Sequence, residues 1–269
     1  MQVIDFINNK GYKLVRFPDG ELHLELEPLN RKHPVAVVCR ITKSDDLFIM
    51  MQLADILKRQ CVEVSSLSVY YLMGMRCDRL FDLNRPFTLS LVADVLNALN
   101  ARRVYLYEPH SERALRLIKN SGCCDVTTAV LDRIRKNDKY LLVAPDKGAC
   151  DRYVDSDFSV VCHKQRDEAT GNLTGFSIST YTDVSGENLL VVDDLCDGGG
   201  TFVGLAPKLR NLAPKSLSLL VTHAVQKAGI DRVAAYYDKV YITDSYKDWS
   251  AESLPENVEV VTITNKITS

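Results

Sequence analysis

The chain has 269 residues, 46% of them hydrophobic and 25% charged, with a formal net charge of −2. That composition belongs to a folded globular protein, suited in length to two domains of about 130 residues or one large one. It excludes a global basic field that would recruit nucleic acid or anionic lipid, and no apolar run reaches the roughly 18 residues needed to span a bilayer.

Taken in chain order, short apolar runs alternate with helical patterns. YKLVRF and ELHLELE read as a hairpin around the Pro18-Asp19-Gly20 turn. VAVVCRI (35–41) reads as a buried strand, followed by a helix over 45–59 with Ser44 as its N-cap. A strand at 62–72, a helix at 86–99 begun by Pro86 and a strand at 103–108 continue the alternation. The second half repeats it with strands at 140–145, 158–162, 176–182, 188–194, 216–224, 239–243 and 258–264, and a helix from about 200. Pro207 is expected to break or kink that helix early. The polar interval 163–175, HKQRDEATGNLTG, has no clear period and reads as a mobile loop.

Strand–helix alternation twice over predicts two α/β domains, each with a largely parallel sheet flanked by helices. The boundary is placed at the charged segment LDRIRKNDK, giving domains 1–137 and 138–269. The ligand site is expected between them, at the carboxyl ends of the strands. The N-terminus lacks a basic start followed by an apolar core, and eight scattered cysteines contain no C-x-x-C. Reduced thiols and a cytoplasmic location are therefore expected.

The strongest chemical signal is LLVVDDLCDGGGT, residues 189–201. A buried strand ends in Asp193 and Asp194. Asp197 then opens the turn Gly198-Gly199-Gly200, closed by Thr201 before a helix. Glycines let backbone N–H groups approach a phosphate, and the helix start adds a favourable dipole. The paired carboxylates suit another part of the ligand, because they accept hydrogen bonds from vicinal hydroxyls such as those of ribose. The segment is not a Walker A loop, since no Gly-Lys-Ser/Thr follows, nor a dinucleotide fingerprint, since Val203 stands where the last glycine belongs.

This segment resembles the ribose-phosphate loop of type I phosphoribosyltransferases and of phosphoribosyl-pyrophosphate synthetases. Other segments, in order along nearly all of the chain, select the synthetases. RFPDGE (16–21) is similar to their R-F-S-D-G-E, MRCDR (75–79) to A-R-Q-D-R, and EPHSE (108–112) to D-L-H-A. APDKG (144–148) resembles S-P-D-A-G, HKQR (163–166) resembles D-K-R-R, and VTHAV (221–225) resembles T-H-G-V. The segment before RFPDGE is about half the family's usual length, which suggests a short, phage-type member.

The resemblance implies two phosphoribosyltransferase-like domains and Mg²⁺-dependent transfer of the diphosphate of ATP to the anomeric hydroxyl of ribose 5-phosphate. It implies that Phe17 stacks on adenine with Asp19 and Glu21 near it, and that Arg76 contacts ATP phosphates. Cys77 stands at a nucleotide contact where the family has glutamine. His110 and Asp146 would hold the Mg²⁺ bound to ATP. Asp193 and Asp194 would hold the ribose hydroxyls or a second metal, and Asp197 to Thr201 would cradle the 5-phosphate. Lys164 and Arg166 would close over the transferring group as the catalytic cations. The partners implied are ATP, a ribose 5-phosphate compound and further copies of the chain, as a homodimer or larger homo-oligomer, without nucleic acid or membrane. DGGGT replaces the more usual D-T-A-G-T, and so bare a loop suits ADP-ribose as an alternative acceptor. A catalytically silent, synthetase-like regulatory subunit is the third reading, and retention of Lys164, Arg166, His110, Asp193 and Asp194 argues against it.

Overall fold

The computed structural model describes residues 2–80, 82–136, 138–153, 157–166 and 173–264, and the side chains at 165, 166, 173 and 174 lie outside that description. The chain divides into two compact units, Met1–Asp125 and Val126–Ser269.

The first unit contains β1 (Gln2–Asp5), β2 (Tyr12–Arg16), β3 (Leu22–Leu26), β4 (Val35–Ile41), α1 (Ser44–Gln60), β5 (Val64–Leu72) and α2 (Thr88–Ala98). It closes with β6 (Val104–Tyr107), α3 (Arg113–Leu117) and β7 (Ser121–Cys124). Five strands form a parallel sheet in the order β1-β4-β5-β6-β7, and β2 with β3 forms the expected hairpin. Helix α1 buries Ile49, Met50, Leu53 and Leu57 along one face, the helical period seen in the sequence. It ends where Cys61 turns left-handed at φ 55°. Ser44 is its first residue and not its cap; instead Asp46 reaches back to accept from Thr42 N at 2.7 Å and Lys43 N at 3.1 Å. The hairpin is pinned to α1 by Gln52, whose side chain accepts from Leu24 N and donates to Leu22 O, both at 2.8 Å.

The second unit begins with α4 (Val126–Arg135), β8 (Leu141–Ala144), α5 (Lys147–Arg152), β9 (Phe158–Arg166) and β10 (Leu173–Thr180). It continues with β11 (Asn188–Cys196), α6 (Gly200–Arg210), β12 (Ser216–Ala224), α7 (Lys227–Ala234), β13 (Lys239–Thr243) and β14 (Val258–Val261). Its seven strands run in the order β10-β9-β8-β11-β12-β13-β14, all parallel except β10 against β9. Helix α4 lies within the sequence-expected N-terminal domain 1–137, yet it packs on β11 and β12. Its buried face of Val126, Val130, Leu131 and Ile134 provides the apolar stripe for that contact.

Two further sequence expectations change here. Residues 163–166 and 173–175 are strand residues of the β9–β10 antiparallel pair and not loop, because the pair is zipped by register contacts such as Lys164 opposite Phe176 and Ser177 opposite His163. The rest of that interval, 167–172, lies outside the described residues. Pro207 does not end its helix, which runs on to Arg210. The ring removes one backbone bond, but burial of Leu205, Ala206 and Leu209 holds the helix on the sheet through the defect.

The topology of the second sheet directs attention to one place. Strand β8 leads through α5 to β9 on one side, while β11 leads through α6 to β12 on the other. The strand order therefore reverses between β8 and β11. Ligands of open α/β sheets bind beyond the carboxyl ends of the strands at such a reversal. With Val143 paired to Val191, the segments holding Asp146 and Asp193–Asp197 leave the sheet at the same edge.

Candidate active site

Strand β11 is buried from Leu189 to Asp194 and runs on to Cys196, past the end the sequence suggested, so both carboxylates stand inside the protein, Asp193 at 9% and Asp194 at 1% exposure. Two buried anions side by side demand a cation. Arg152, the last residue of α5, supplies it, with Nη1 at 3.3 Å from Asp193 Oδ1 and 2.8 Å from Asp194 Oδ1. Burial pushes the Asp193 carboxyl well up from its usual range and the Asp194 charge adds to the rise, against the pull of Arg152. Burial alone would lower the Arg152 guanidinium, but Asp194 and Asp193 outweigh it and hold the cation firmly charged.

Asp146 caps α5, its Oδ1 accepting from Ala149 N at 2.9 Å, and its Oδ2 meets Lys164 Nζ at 2.5 Å. Burial would raise this carboxyl, yet the Lys164 ammonium outweighs burial and lowers it. Lys164 thus stands on a strand, β9, and not in a loop. Arg166 ends that strand, and its side chain lies outside the described residues.

The turn after β11 is tightly specified at one glycine. Gly199 caps α6 with φ 74°, and a Cβ there would lie 2.6 Å from Val233 Cγ2 and 2.8 Å from Gly229 O. Gly229 of α7 is closer still, since its Cβ would fall 1.9 Å from Asp197 O. Helix α7 is therefore pressed against the turn. Gln226 donates to Asp197 Oδ1 at 2.6 Å and Arg232 to Gly198 O at 3.0 Å, which fixes the turn's outline. Gly198 and Gly200 are exposed and Thr201 half-buried at the start of α6, where the first N–H groups have no intrahelical acceptor. Burial pushes the neighbouring Cys196 thiol up to about 12, which disfavours its thiolate.

In the first unit, Phe17, Asp19 and Glu21 share the β2–β3 turn. Phe17 is 43% exposed, its ring tilted against His23 with centroids 5.9 Å apart. Asp19 accepts from Glu21 N at 3.1 Å and so shapes the turn. Arg76 and Cys77 are exposed on the loop after β5, and His110 is half-buried on the loop after the adjacent β6. The two loops are tied by Arg113, which donates to Asp78 O at 3.1 Å.

A divalent cation can be tested against these donors. Among the described residues no group of three or more His, Cys, Asp or Glu side chains converges in the manner of a metal cage. A lone carboxylate such as Asp146 suits Mg²⁺, which keeps several waters and binds through one or two carboxylates plus substrate phosphates. The imidazole of His110 is a softer donor and matches it less well.

The sequence reading missed Arg152, Gln226 and Gly229. Arg152 was discoverable from APDKGACDR, where it closes the same short helix that Asp146 caps. Nothing in the sequence announces the steric role of Gly229.

No protein-family model matches the chain. Among curated proteins it is similar to the ribose-phosphate pyrophosphokinase of Thermococcus kodakarensis, 26% identical over 90% of this chain and 89% of the relative. The ribose-phosphate pyrophosphokinase of Mycoplasmopsis pulmonis is 23% identical over 92% of this chain and 80% of that protein. In fold it resembles the crystal structure of phosphoribosylpyrophosphate synthetase from Mycobacterium smegmatis, with a TM-score of 0.78 at 18% identity over 93% of this chain and 85% of that one. The likeness runs through both units, with the motifs in the order the phosphoribosyl-pyrophosphate synthetases have them, and it is to these transferases that the chain is similar.

Proposed function

We propose that the chain is a ribose-phosphate diphosphokinase, which transfers the β,γ-diphosphate of ATP to the anomeric hydroxyl of ribose 5-phosphate. The observation that carries this reading is the last part of β11, where two buried carboxylates precede Leu195 and Cys196 at the strand end, the glycine turn and a helix start. One strand end thus offers acceptors for a diol beside N–H donors for a phosphate. Asp193 and Asp194 take the ribose hydroxyls, and Asp197 to Thr201 take the 5-phosphate.

In the reaction the anomeric oxygen forms a bond to the β-phosphorus. The bond from that phosphorus to the bridging α,β-oxygen breaks, AMP leaves with the oxygen, and the hydroxyl proton is released. Charge grows on the transferring and leaving oxygens, so positioned cations lower the barrier. Lys164 and Arg166 carry that role, while Phe17, Asp19, Glu21, Arg76 and Cys77 bind ATP. Asp146, with His110, would hold Mg²⁺, which when bound neutralises phosphate charge. Homo-oligomerisation and a cytoplasmic setting belong to the same reading. No helix among the described residues is long and apolar enough to cross a membrane.

A second acceptor is favoured by one observation. A Cβ at Gly198 or Gly200 would meet no atom within 4 Å, so their bareness is not demanded by packing and leaves the outer side of the turn open. A substituted 5-phosphate, as in ADP-ribose, fits such an opening. Incubation with ATP, Mg²⁺ and either acceptor, with products identified by mass, tests both readings. AMP and phosphoribosyl pyrophosphate are expected from ribose 5-phosphate. AMP with ADP-ribose alone establishes the second acceptor, and AMP with neither supports a silent regulatory subunit.

A further inference from the structure

Helix α5 places a charged residue at each end, and both face the site. Asp146 begins it, bound to Lys164, and Arg152 closes it, bound to Asp193 and Asp194. The Arg152 side chain is 15% accessible and those of Asp193 and Asp194 are 13% and 2%. The guanidinium engages Oδ1 of both carboxylates, so the direction of each second oxygen is set as well. Asp193 Oδ1 also accepts from Asp194 N at 2.9 Å, which locks the spacing of the pair.

The guanidinium is braced from behind. The ring of the buried Tyr153, next in the chain, lies under the Arg152 guanidinium, with its centroid 5.7 Å from Cζ. Its hydroxyl lies 3.1 Å from Thr127 Oγ1 of α4, which lies 2.7 Å from Thr222 Oγ1 of β12. Thr127 and Thr222 are both fully buried. One guanidinium nitrogen, Nη1, meets both carboxylates and so draws the two Oδ1 atoms toward a single point.

Resting on the ribose-phosphate reading above, we propose that Arg152 is a positioning residue for the acceptor. It aligns Asp193 and Asp194 to receive the two ring hydroxyls of the ribose, and Tyr153 with Thr127 holds its guanidinium in place. Arg152 acts through the carboxylates and not on the phosphates of ATP.

The test compares Arg152→Gln, Arg152→Lys and Tyr153→Phe with the wild-type chain. The readouts are KM for ribose 5-phosphate, KM for ATP and kcat from AMP release, calorimetric binding of ribose 5-phosphate, and Tm. Arg152→Gln is expected to raise the ribose 5-phosphate KM by about ten- to hundred-fold, the worth of a hydrogen bond to a charged group, and to leave the ATP KM within about two-fold. Arg152→Lys should recover part of the loss, and Tyr153→Phe should raise the acceptor KM by a few-fold. An unchanged acceptor KM in a folded Arg152→Gln overturns the proposal, and so does an equal rise in both KM values. If Arg152→Gln does not fold, an unchanged acceptor KM in both other variants overturns it. If the wild-type chain releases no AMP, the functional reading has failed, and calorimetry decides the positioning role separately. Equal ribose 5-phosphate affinity in wild type and variants, or none in the wild type, then overturns it.

Discussion

Lys164 Nζ lies 2.5 Å from Asp146 Oδ2, an ion pair that joins strand β9 to the cap of α5. Both side chains are partly accessible, at 22% and 27%, so the pair contributes modestly to stability. Its consequence is positional, because the ammonium is held beside the residue assigned to the metal-bound phosphates.

Lys164→Ala is therefore expected to cut kcat by about 10²–10³. ATP and acceptor affinities and Tm should change little, since the donor acts mainly on charge that grows in the transition state. Arg166→Ala should behave alike. Turnover measured beside Tm checks this, and a variant with full activity removes its residue from the mechanism.

Asp146→Asn keeps an oxygen to accept from Ala149 N, so α5 remains capped. It loses the charge a divalent cation needs. The Mg²⁺ concentration for half-maximal ATP binding should rise by at least about ten-fold, the loss that even an indirect partner of a metal can cause. His110→Ala should shift it less, because imidazole is the softer donor. Titration of ATP binding against Mg²⁺ in both variants decides, and no shift in either means the ligands lie elsewhere.

Gly199→Ala should cost about 1–3 kcal/mol for a left-handed non-glycine residue, with the contact to Val233 in addition. The acceptor KM should rise with it, for ADP-ribose at least as much as for ribose 5-phosphate. Gly198→Ala has open space around its Cβ and should leave Tm unchanged. Denaturation midpoints and acceptor KM of the two variants check the contrast.

Phe17 is exposed and contributes little to the core, so Phe17→Ala should leave Tm near that of the wild type. If its ring stacks on adenine, the ATP KM should rise by about ten- to hundred-fold, the worth of one base–aromatic contact. Phe17→Tyr, which keeps a π face, should retain most of the affinity. An unchanged ATP KM in the alanine variant leaves Phe17 as a turn residue only.

Asp238 gives a pH test of stability away from the site. Its carboxylate meets Arg210 at 2.9 and 3.0 Å and accepts from Leu217 N at 2.6 Å. Burial would raise it, but Arg210 and the Leu217 N–H outweigh burial and hold it below the usual carboxylate range. A depressed folded-state value means stability that is present above the unfolded value of about 3.9 and lost as pH falls through the folded one. Because the pair is more than a third exposed, Asp238→Asn should cost about 1 kcal/mol or less at pH 7. The gap in Tm between wild type and variant should narrow below about pH 4. A gap that persists there would trace the loss to packing.

Much of the architecture was legible in the sequence because its cause is local. VAVVCRI and LLVVDD are runs of branched apolar residues too short for a helix and too apolar for an edge, so they could only be interior strands. The glycine turn after Asp197 was equally plain, since three consecutive glycines do not belong inside a strand or a helix. The 163–166 segment misled, because polar side chains hide a strand whose pairing with β10 rests on backbone hydrogen bonds and not on an apolar period. Pro207 misled for the opposite reason, as a strong local rule yielded to burial of its neighbours.

The sequence by itself determined the strand–helix alternation, the acidic strand end and the glycine turn, because each is written in contiguous residues. Only the tertiary structure decided that Arg152 joins Asp193 and Asp194, that Lys164 meets Asp146, and that Gly229 must be bare to seat the turn. Those pairings link residues far apart in the chain. They follow from the order of β9, β8, β11 and β12 in the sheet, which brings separate strand ends to one edge where buried charges find partners and α7 packs on the turn after β11.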